Sequence, residues 1–176
     1  MCIRDRHWVV DGPTEQFVAS LVYNGKLLFM TCGFPQRHML AIDPRGQGNV
    51  TGTHVVWRTR KDPSYVPSPV AIGDYFLVVS DSGRASCLEA ATGRLAWNER
   101  IGREHGASPV TVQGHVCFLS ETGVMTVIKP GEKFEVVARN ELGEEAHASP
   151  VITREQWIIR GSEHLFCLGS GARKVP

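Results

Sequence analysis

The stretch that decides the fold is residues 68–97, which read SPVAIGDYFLVVSDSGRASCLEAATGRLAW. Runs of apolar and β-branched residues alternate in it with the turn sequences Gly73-Asp74, Asp81-Ser82-Gly83 and Ala90-Ala91-Thr92-Gly93. Turns of this composition are typical of hairpins that join antiparallel strands. The pattern therefore predicts four short strands in one antiparallel sheet, with Trp97 on the last strand.

The beginning of this unit recurs along the chain. Ser68, Ser108 and Ser149 each open a Ser-Pro-Val run, and they lie 40 and 41 residues apart. Ser20 precedes Ser68 by 48 residues, so the first unit carries an insertion. A period of about 40–45 residues built from short strands is typical of a β-propeller, in which each repeat forms one blade. We therefore predict an all-β chain, a partial β-propeller of four-stranded antiparallel blades, with about three full blades and one incomplete blade.

The repeat also sets the boundaries along the chain. The extra residues of the first unit fall in loops 32–38 and 44–53, and the fourth unit ends after three strands. The N-terminal residues fit no repeat and lack the apolar core of a signal peptide. We therefore predict that residues 1–6 are a non-native leader and that residues 7–14 form the last strand of a preceding blade. Residues 15–169 are predicted to form the repeats, and residues 170–176 a polar tail. The blades are expected near residues 17–60, 65–100, 105–140 and 147–169.

Composition excludes several classes of partner. The formal net charge is +1, with 42% hydrophobic and 21% charged residues, so neither nucleic acid nor an anionic membrane is indicated by charge. No stretch approaches the roughly 18–20 apolar residues of a membrane-spanning helix. The five cysteines include no adjacent pair and no CxxC, which argues against a disulfide framework or a zinc site. Cys87 and Cys167 fall in the same slot of two repeats, where buried thiols are expected.

One segment resembles the signature of a known family. The run Leu88-Glu89-Ala90-Ala91-Thr92-Gly93-Arg94-Leu95-Ala96-Trp97 resembles the PQQ-like (pyrroloquinoline quinone-type) β-propeller repeat. In that family the Trp after the Thr-Gly turn packs between neighbouring blades, which implies structural roles for Trp57, Gly93 and Trp97. The third unit has Val137 where the Trp is expected. The resemblance covers roughly residues 15–169, and complete members have seven or eight blades, so the chain is interpreted as a C-terminal fragment.

Candidate contact residues lie just before each repeated Ser. Phe17, Tyr65, His105 and His147 occupy these positions, on loops predicted to surround the central channel where propellers bind ligands. They are predicted to contact another protein or a small ligand at the channel mouth. The alternative is that they only cap the inner strands. The seven histidines have no metal-ligand spacing and are expected on the solvated surface, and no catalytic motif is present.

Two functional hypotheses follow from the resemblance. The first is an exported scaffold that binds proteins or a small ligand through its blade loops and needs no cofactor, similar to non-enzymatic members such as the outer-membrane protein assembly lipoprotein, and periplasmic in a bacterium. The second is half of a quinoprotein alcohol or sugar dehydrogenase that uses PQQ and Ca²⁺. The second needs a catalytic Asp, calcium ligands and, in the alcohol-oxidising branch, adjacent cysteines, none of which this repeat pattern supplies. An open ring of blades also predicts self-association through unpaired edges.

Overall fold

The computed structural model describes residues 5–12 and 14–169, so most of the predicted leader and the whole predicted tail lie outside the described residues. The described residues form strands and turns without a helix, and none of them can therefore cross a membrane as a long apolar helix. In chain order the strands are β1 (Trp8–Val9), β2 (Val22–Tyr23), β3 (Leu28–Cys32), β4 (His38–Ile42), β5 (Gly48–Asn49), β6 (Val55–Thr59), β7 (Val70–Ile72), β8 (Tyr75–Val79), β9 (Arg84–Glu89), β10 (Leu95–Arg100), β11 (Val110–Val112), β12 (His115–Leu119), β13 (Val124–Ile128), β14 (Val136–Glu141), β15 (Val151–Ile152), β16 (Gln156–Arg160) and β17 (Leu165–Gly169).

The sheets confirm the predicted fold class. Strands β2-β3-β4-β6, β7 to β10 and β11 to β14 form three four-stranded antiparallel sheets, and β15 to β17 form a three-stranded one. Consecutive strands are hairpin neighbours, apart from the insertion that places β5 between β4 and β6. These are the blades of a partial propeller, numbered here one to four.

The segment around Trp8 pairs with the insertion of the first unit in a separate two-stranded sheet. Strand β1 runs parallel to β5, with Trp8 opposite Gly48, and the Trp8 indole N–H donates to the carbonyl of Pro44 at 2.9 Å. The insertion at residues 44–53 supplies both partners. The assignment of residues 7–14 to a preceding blade stays a prediction, because this pairing involves no such blade.

The repeated serines join the blades in series. The backbone N–H of Ser20 donates to the hydroxyl of Ser68 at 2.8 Å, that of Ser68 to Ser108 at 2.9 Å, and that of Ser108 to Ser149 at 2.9 Å. Each bond links the first strand of one blade to the first strand of the next. The residue that marks the period in the sequence is thus also a contact between repeats.

Apolar clusters fill the boundaries between blades. Trp57 packs at the boundary of blades one and two with Phe29 and Phe76, and Trp97 at the boundary of blades two and three with Phe118. Trp57 is 9% exposed and Trp97 is 7% exposed. At about 25 cal/mol per Å² of buried apolar area, these aromatic rings are major contributors to the stability of the stack.

The register corrects the position of the Trp slot in blade three. Trp97 pairs with Cys87, and the equivalent pair in blade three is Ala138 with Val127. The same bulge precedes the slot in β10 and in β14, but seven residues separate the paired Ile128 and Val136, whereas six separate Leu88 and Leu95. Counting residues from the turn therefore points to Val137, which is 50% exposed, whereas Ala138 occupies the slot.

Cys167 does not fit the expectation of a buried thiol. Cys87 is fully buried, and desolvation raises the pKa of its thiol to about 12. Cys167 occupies the same slot of blade four but is exposed. Burial of Cys87 requires β10 and blade three beside it, whereas β17 is the edge strand of its sheet among the described residues. Cys87 and Cys167 thus occupy the same position of the repeat in different environments.

Candidate binding face at the channel mouth

The predicted contact residues lie at one end of the blades. The connectors that enter each blade cross the turns between the second and third strands of neighbouring blades, and backbone hydrogen bonds hold them there. The N–H of His105 donates to the carbonyl of Asp81 at 3.1 Å, and the N–H of Glu121 donates to the carbonyl of Glu104 at 2.9 Å. We call the surface formed by these connectors and turns the mouth face.

Tyr65 is held firmly at the boundary of blades one and two. A Cβ built on Gly33 would lie 2.0 Å from the Tyr65 ring, so the ring packs directly on the backbone of a glycine. The Tyr65 hydroxyl donates to Oε1 of Gln16 at 3.2 Å. The Arg37 guanidinium lies 5.5 Å from the ring centroid, within the range of a cation–π contact. Tyr65 is therefore partly buried and oriented by three neighbours.

Asp81 joins the loop of Tyr65 to the turn between β8 and β9 of blade two. Its Oδ1 accepts the backbone N–H of Val66 at 3.0 Å, and its Oδ2 lies 3.4 Å from the Arg37 guanidinium. Asp81 precedes Gly83 in the turn of blade two, where a Cβ on Gly83 would meet the Arg103 carbonyl at 2.0 Å. The turn thus needs glycine both for its positive φ of 83° and for this close approach.

A cleft of about 610 Å³ opens beside Asp81. It contains two arginines and three carboxylates, so charges of both signs face the same space. Its lining residues are Val66, Asp81, Ser82, Arg100, Arg103, Glu104, His105, Gly106 and Glu121.

His105 lies beneath this cleft rather than at its surface. It is only 2% exposed, and Nδ1 has no hydrogen-bond partner. Desolvation lowers the pKa of the imidazole, so the ring is neutral near pH 7. A Cβ on Gly102 would come within 2.8 Å of Cε1, so the loop packs tightly against the ring. The role of His105 as a ligand contact remains a prediction, and its burial shows that the expectation of surface histidines was wrong here, as it was for His38, which is 4% exposed.

His147 and Phe17 are the exposed members of the predicted set. The Nδ1 atom of His147 lies 3.5 Å from Oε2 of Glu121, and its Nε2 lies 3.9 Å from Oε2 of Glu145. Phe17 is 55% exposed, beside the Gln16 contact to Tyr65. The four residues thus follow one arc along the mouth face, one for each blade, with different degrees of burial.

Sequence analysis missed the charged residues of this arc. Asp81 and Glu121 occupy equivalent turns, each after a Ser and two residues before a Gly, and the Asp81 turn was interpreted as a simple hairpin. Arg37 and Arg103 come from segments distant in sequence. The repeated Ser-Asp/Glu-Ser/Thr-Gly turn was the pattern that could have identified the two carboxylates.

An acidic group with a histidine lies where the connector that enters blade four meets the turn between β16 and β17. Ligand atoms of Glu144, Glu163 and His164 all lie within 4.8 Å of one another. Glu144 already accepts the backbone N–H groups of Glu163 at 3.2 Å and of His164 at 2.9 Å, and its Oε2 lies 2.8 Å from Nδ1 of His164. These contacts account for the arrangement as a structural ion pair.

The comparisons with known proteins agree with this fold. The sequence family described as outer membrane protein assembly factor BamB matches residues 38–134, more than half of the chain. No curated protein sequence gave a significant match.

Three solved structures illustrate the likeness. BamB from Moraxella catarrhalis has 14% identity and a TM-score of 0.63, covering 88% of this chain and 42% of that one. Quinohemoprotein alcohol dehydrogenase ADHIIG from Pseudomonas putida HK5 has 15% identity and a TM-score of 0.65, covering 87% and 29%. The computationally designed Ika4 protein has 9% identity and a TM-score of 0.72, covering 96% and 100%.

At these identities the solved structures show the shared fold, and the chain spans less than half the length of either natural protein. The match to the sequence family, over more than half of the chain, also shows which family the chain belongs to. The chain therefore belongs to the PQQ-like β-propeller repeat family described as outer membrane protein assembly factor BamB.

Proposed function

We propose that this chain is the binding part of an exported, periplasmic β-propeller scaffold, which engages a partner protein through its mouth face. The observation that carries the proposal is the cleft of about 610 Å³ lined by arginines and carboxylates from neighbouring blades. Charges of both signs around a concave surface favour a partner of complementary charge and accelerate its encounter.

Exposed aromatic side chains at the blade-one end of the mouth face support the same proposal. Phe17 and Phe34 are 55% and 58% exposed, and a backbone bridge between Gln16 and Phe34 brings their segments together. Aromatic residues and arginine are enriched at protein interfaces, since they bury a large area with little loss of side-chain freedom. An apolar anchor beside a charged rim is the usual anatomy of such an interface.

Site-specific photocrosslinking tests this proposal. A photoreactive phenylalanine analogue replaces Phe17, and the matched control replaces Tyr23, an aromatic residue of almost equal exposure, 56%, beside the β2–β3 turn of blade one. We expect a discrete protein adduct from position 17 that Arg103→Glu removes without changing the melting temperature. Equal adducts from both positions, or none from position 17, would contradict the proposal.

The enzyme hypothesis makes a different prediction. Ca²⁺ takes six to eight oxygen ligands, whereas on the mouth face the oxygens of Asp81 already accept hydrogen bonds from Val66 and Arg37. This donor set supports the scaffold hypothesis, which needs neither PQQ nor Ca²⁺. A spectroscopic titration with both should then show no saturable change, and stoichiometric PQQ binding would instead favour the dehydrogenase.

Self-association is a further proposed partner interaction. Strand β17 exposes Leu165 and Leu168, at 71% and 46%, along an edge whose backbone groups can pair with another strand. Light scattering over a range of concentrations tests this, and a mass that stays monomeric at high concentration would contradict it.

A further inference from the structure

The boundaries between blades are filled in two different ways. At the boundary of blades one and two, the indole N–H of Trp57 donates to the carbonyl of Ala90 at 2.9 Å. At the next boundary, the indole N–H of Trp97 donates to the carbonyl of Gly131 at 3.0 Å. Both rings project from the same register position of the fourth strand, and both pack in apolar clusters with the second and third strands of the following blade. The position is thus an indole slot that occurs once for each boundary.

At the boundary of blades three and four, this slot holds only a methyl group. The register places Ala138 at the position of the two tryptophans. In the following blade, the residue that shares the apolar cluster of the indole is Leu88 for Trp57 and Ile128 for Trp97. These two residues are 1% and 0% exposed. The equivalent residue of blade four is Leu168, which pairs with Trp157 from the edge strand β17 and is 46% exposed.

A cleft of about 570 Å³ occupies this boundary. Ala138 lies opposite one of its lining residues, Val127, and two residues before another, Asn140, on the same face of β14. Its walls include apolar side chains such as Met125 and Trp157, and its rim includes the amides of Asn140 and Gln156. The size and the mixture of apolar wall and polar rim are those of a small-molecule site.

We infer that this cleft binds a small ligand with a planar, indole-sized aromatic ring. The two filled boundaries identify the chemistry, because the same register position holds an indole there within an apolar cluster. The partly buried Trp157 supplies an aromatic surface for the ring, and offset or edge-to-face contacts between rings are favourable. The remaining volume and the amide rim accommodate a polar substituent on the ring. This cleft shares no lining residue with the cleft beside Asp81, so the inference is independent of the proposed function.

Nuclear magnetic resonance of the indole N–H groups tests the inference directly. The chain has four tryptophans, and of these only Trp157 lines the cleft. Titration of the whole chain with indole should shift the Trp157 N–H signal saturably, with a dissociation constant on the order of 0.1–1 mM for so small a ligand. The signals of Trp57 and Trp97 should move little. Absence of a saturable Trp157 shift up to the solubility limit of indole overturns the inference.

Two variants with the same added ring provide the control. Ala138→Trp should fill the slot from within and weaken indole binding at least tenfold. Arg139→Trp adds the ring one residue later, on the opposite face of β14, where position 139 pairs with Thr126, and it should leave binding unchanged. Unchanged binding in Ala138→Trp, or equal loss in both variants, overturns the inference. Binding of a tryptophan-containing tripeptide more than tenfold tighter than indole overturns the small-molecule assignment in favour of a partner's side chain.

Discussion

Replacement of Trp97 by Ala is the perturbation that most directly tests the proposed packing of the blades. The ring is 7% exposed, and its N–H donates to the carbonyl of Gly131 at 3.0 Å. It also makes an edge-on contact with Phe134, with ring centroids 5.0 Å apart. One side chain thus joins the sheet of blade two to the turn of blade three through both apolar contact and a hydrogen bond.

The magnitude follows from the area that the ring buries. A tryptophan buries roughly 150–250 Å², which at about 25 cal/mol/Å² gives roughly 4–6 kcal/mol as an upper bound. Substitutions of buried Trp or Phe by Ala typically cost about 3–5 kcal/mol, because the cavity only partly collapses. Loss of the hydrogen bond to Gly131 falls within that range, since a net hydrogen bond contributes about 1 kcal/mol. We expect Trp97→Ala to lower the free energy of unfolding by about 3–5 kcal/mol.

Urea unfolding followed by circular dichroism measures this quantity, provided that the slope of the transition is unchanged. Phe17→Ala is the matched control, because it removes an aromatic ring that is 55% exposed and should change stability by less than about 1 kcal/mol. Trp97→Phe, which keeps a ring and loses the N–H, should fall between the two. A loss of less than about 1 kcal/mol for Trp97→Ala would show that the ring does not hold the blades together.

Further predictions concern the serine contacts, an ion pair and the thiols. Ser108→Ala removes the acceptor of an inter-blade hydrogen bond and should cost about 0.5–1.5 kcal/mol in urea unfolding, whereas Ser108→Thr keeps the hydroxyl and should cost less; equal losses would contradict this role. The hydrogen bond between the side chains lowers the pKa of Glu144 from 4.5 and raises that of His164 from 6.5. The carboxylate contribution is lost as pH falls below 4.5 through the lowered pKa, and the imidazolium contribution as pH rises above 6.5 through the raised one. The stability difference between the wild type and His164→Gln should therefore be largest between these values, and a difference that does not vary from pH 3 to pH 9 would contradict the pairing. Maleimide labelling followed by mass spectrometry should modify Cys167 in the native protein and Cys87 only after unfolding, because Cys87 is buried with a pKa raised to about 12.

The blades themselves could be predicted because their determinants are local. The strands that begin within residues 68–97 are short, and successive strands are joined by turns whose glycine or aspartate is visible in the sequence. Hairpin neighbours pair without long loops, so the period of about 40 residues is enough to identify blade and sheet. The same locality explains why Trp97 was recognised from a ten-residue signature.

The slot in blade three shows where counting along the chain fails. The segment between the third and fourth strands is one residue longer in blade three than in blade two, and a shift of one residue moves a side chain to the other face of a sheet. The sequence offers Val137 and Ala138 as neighbours, but only the pairing with Val127 shows that Ala138 occupies the position of Trp97. The consequence, a cleft in place of an indole, follows from that register.

The sequence by itself determined the strands, the turns, the period and the family of repeats, because these depend on neighbours within about ten residues. The tertiary structure alone decided which side chains meet across blades. Asp81 contacts Arg37 from 44 residues away, and Ser68 contacts Ser108 from 40 residues away. It also decided that Cys87 is buried and Cys167 exposed in equivalent slots. Burial, charge pairing and clefts are properties of two surfaces in contact, and the twist and stacking of the blades, rather than the order of residues in either one, bring those surfaces together.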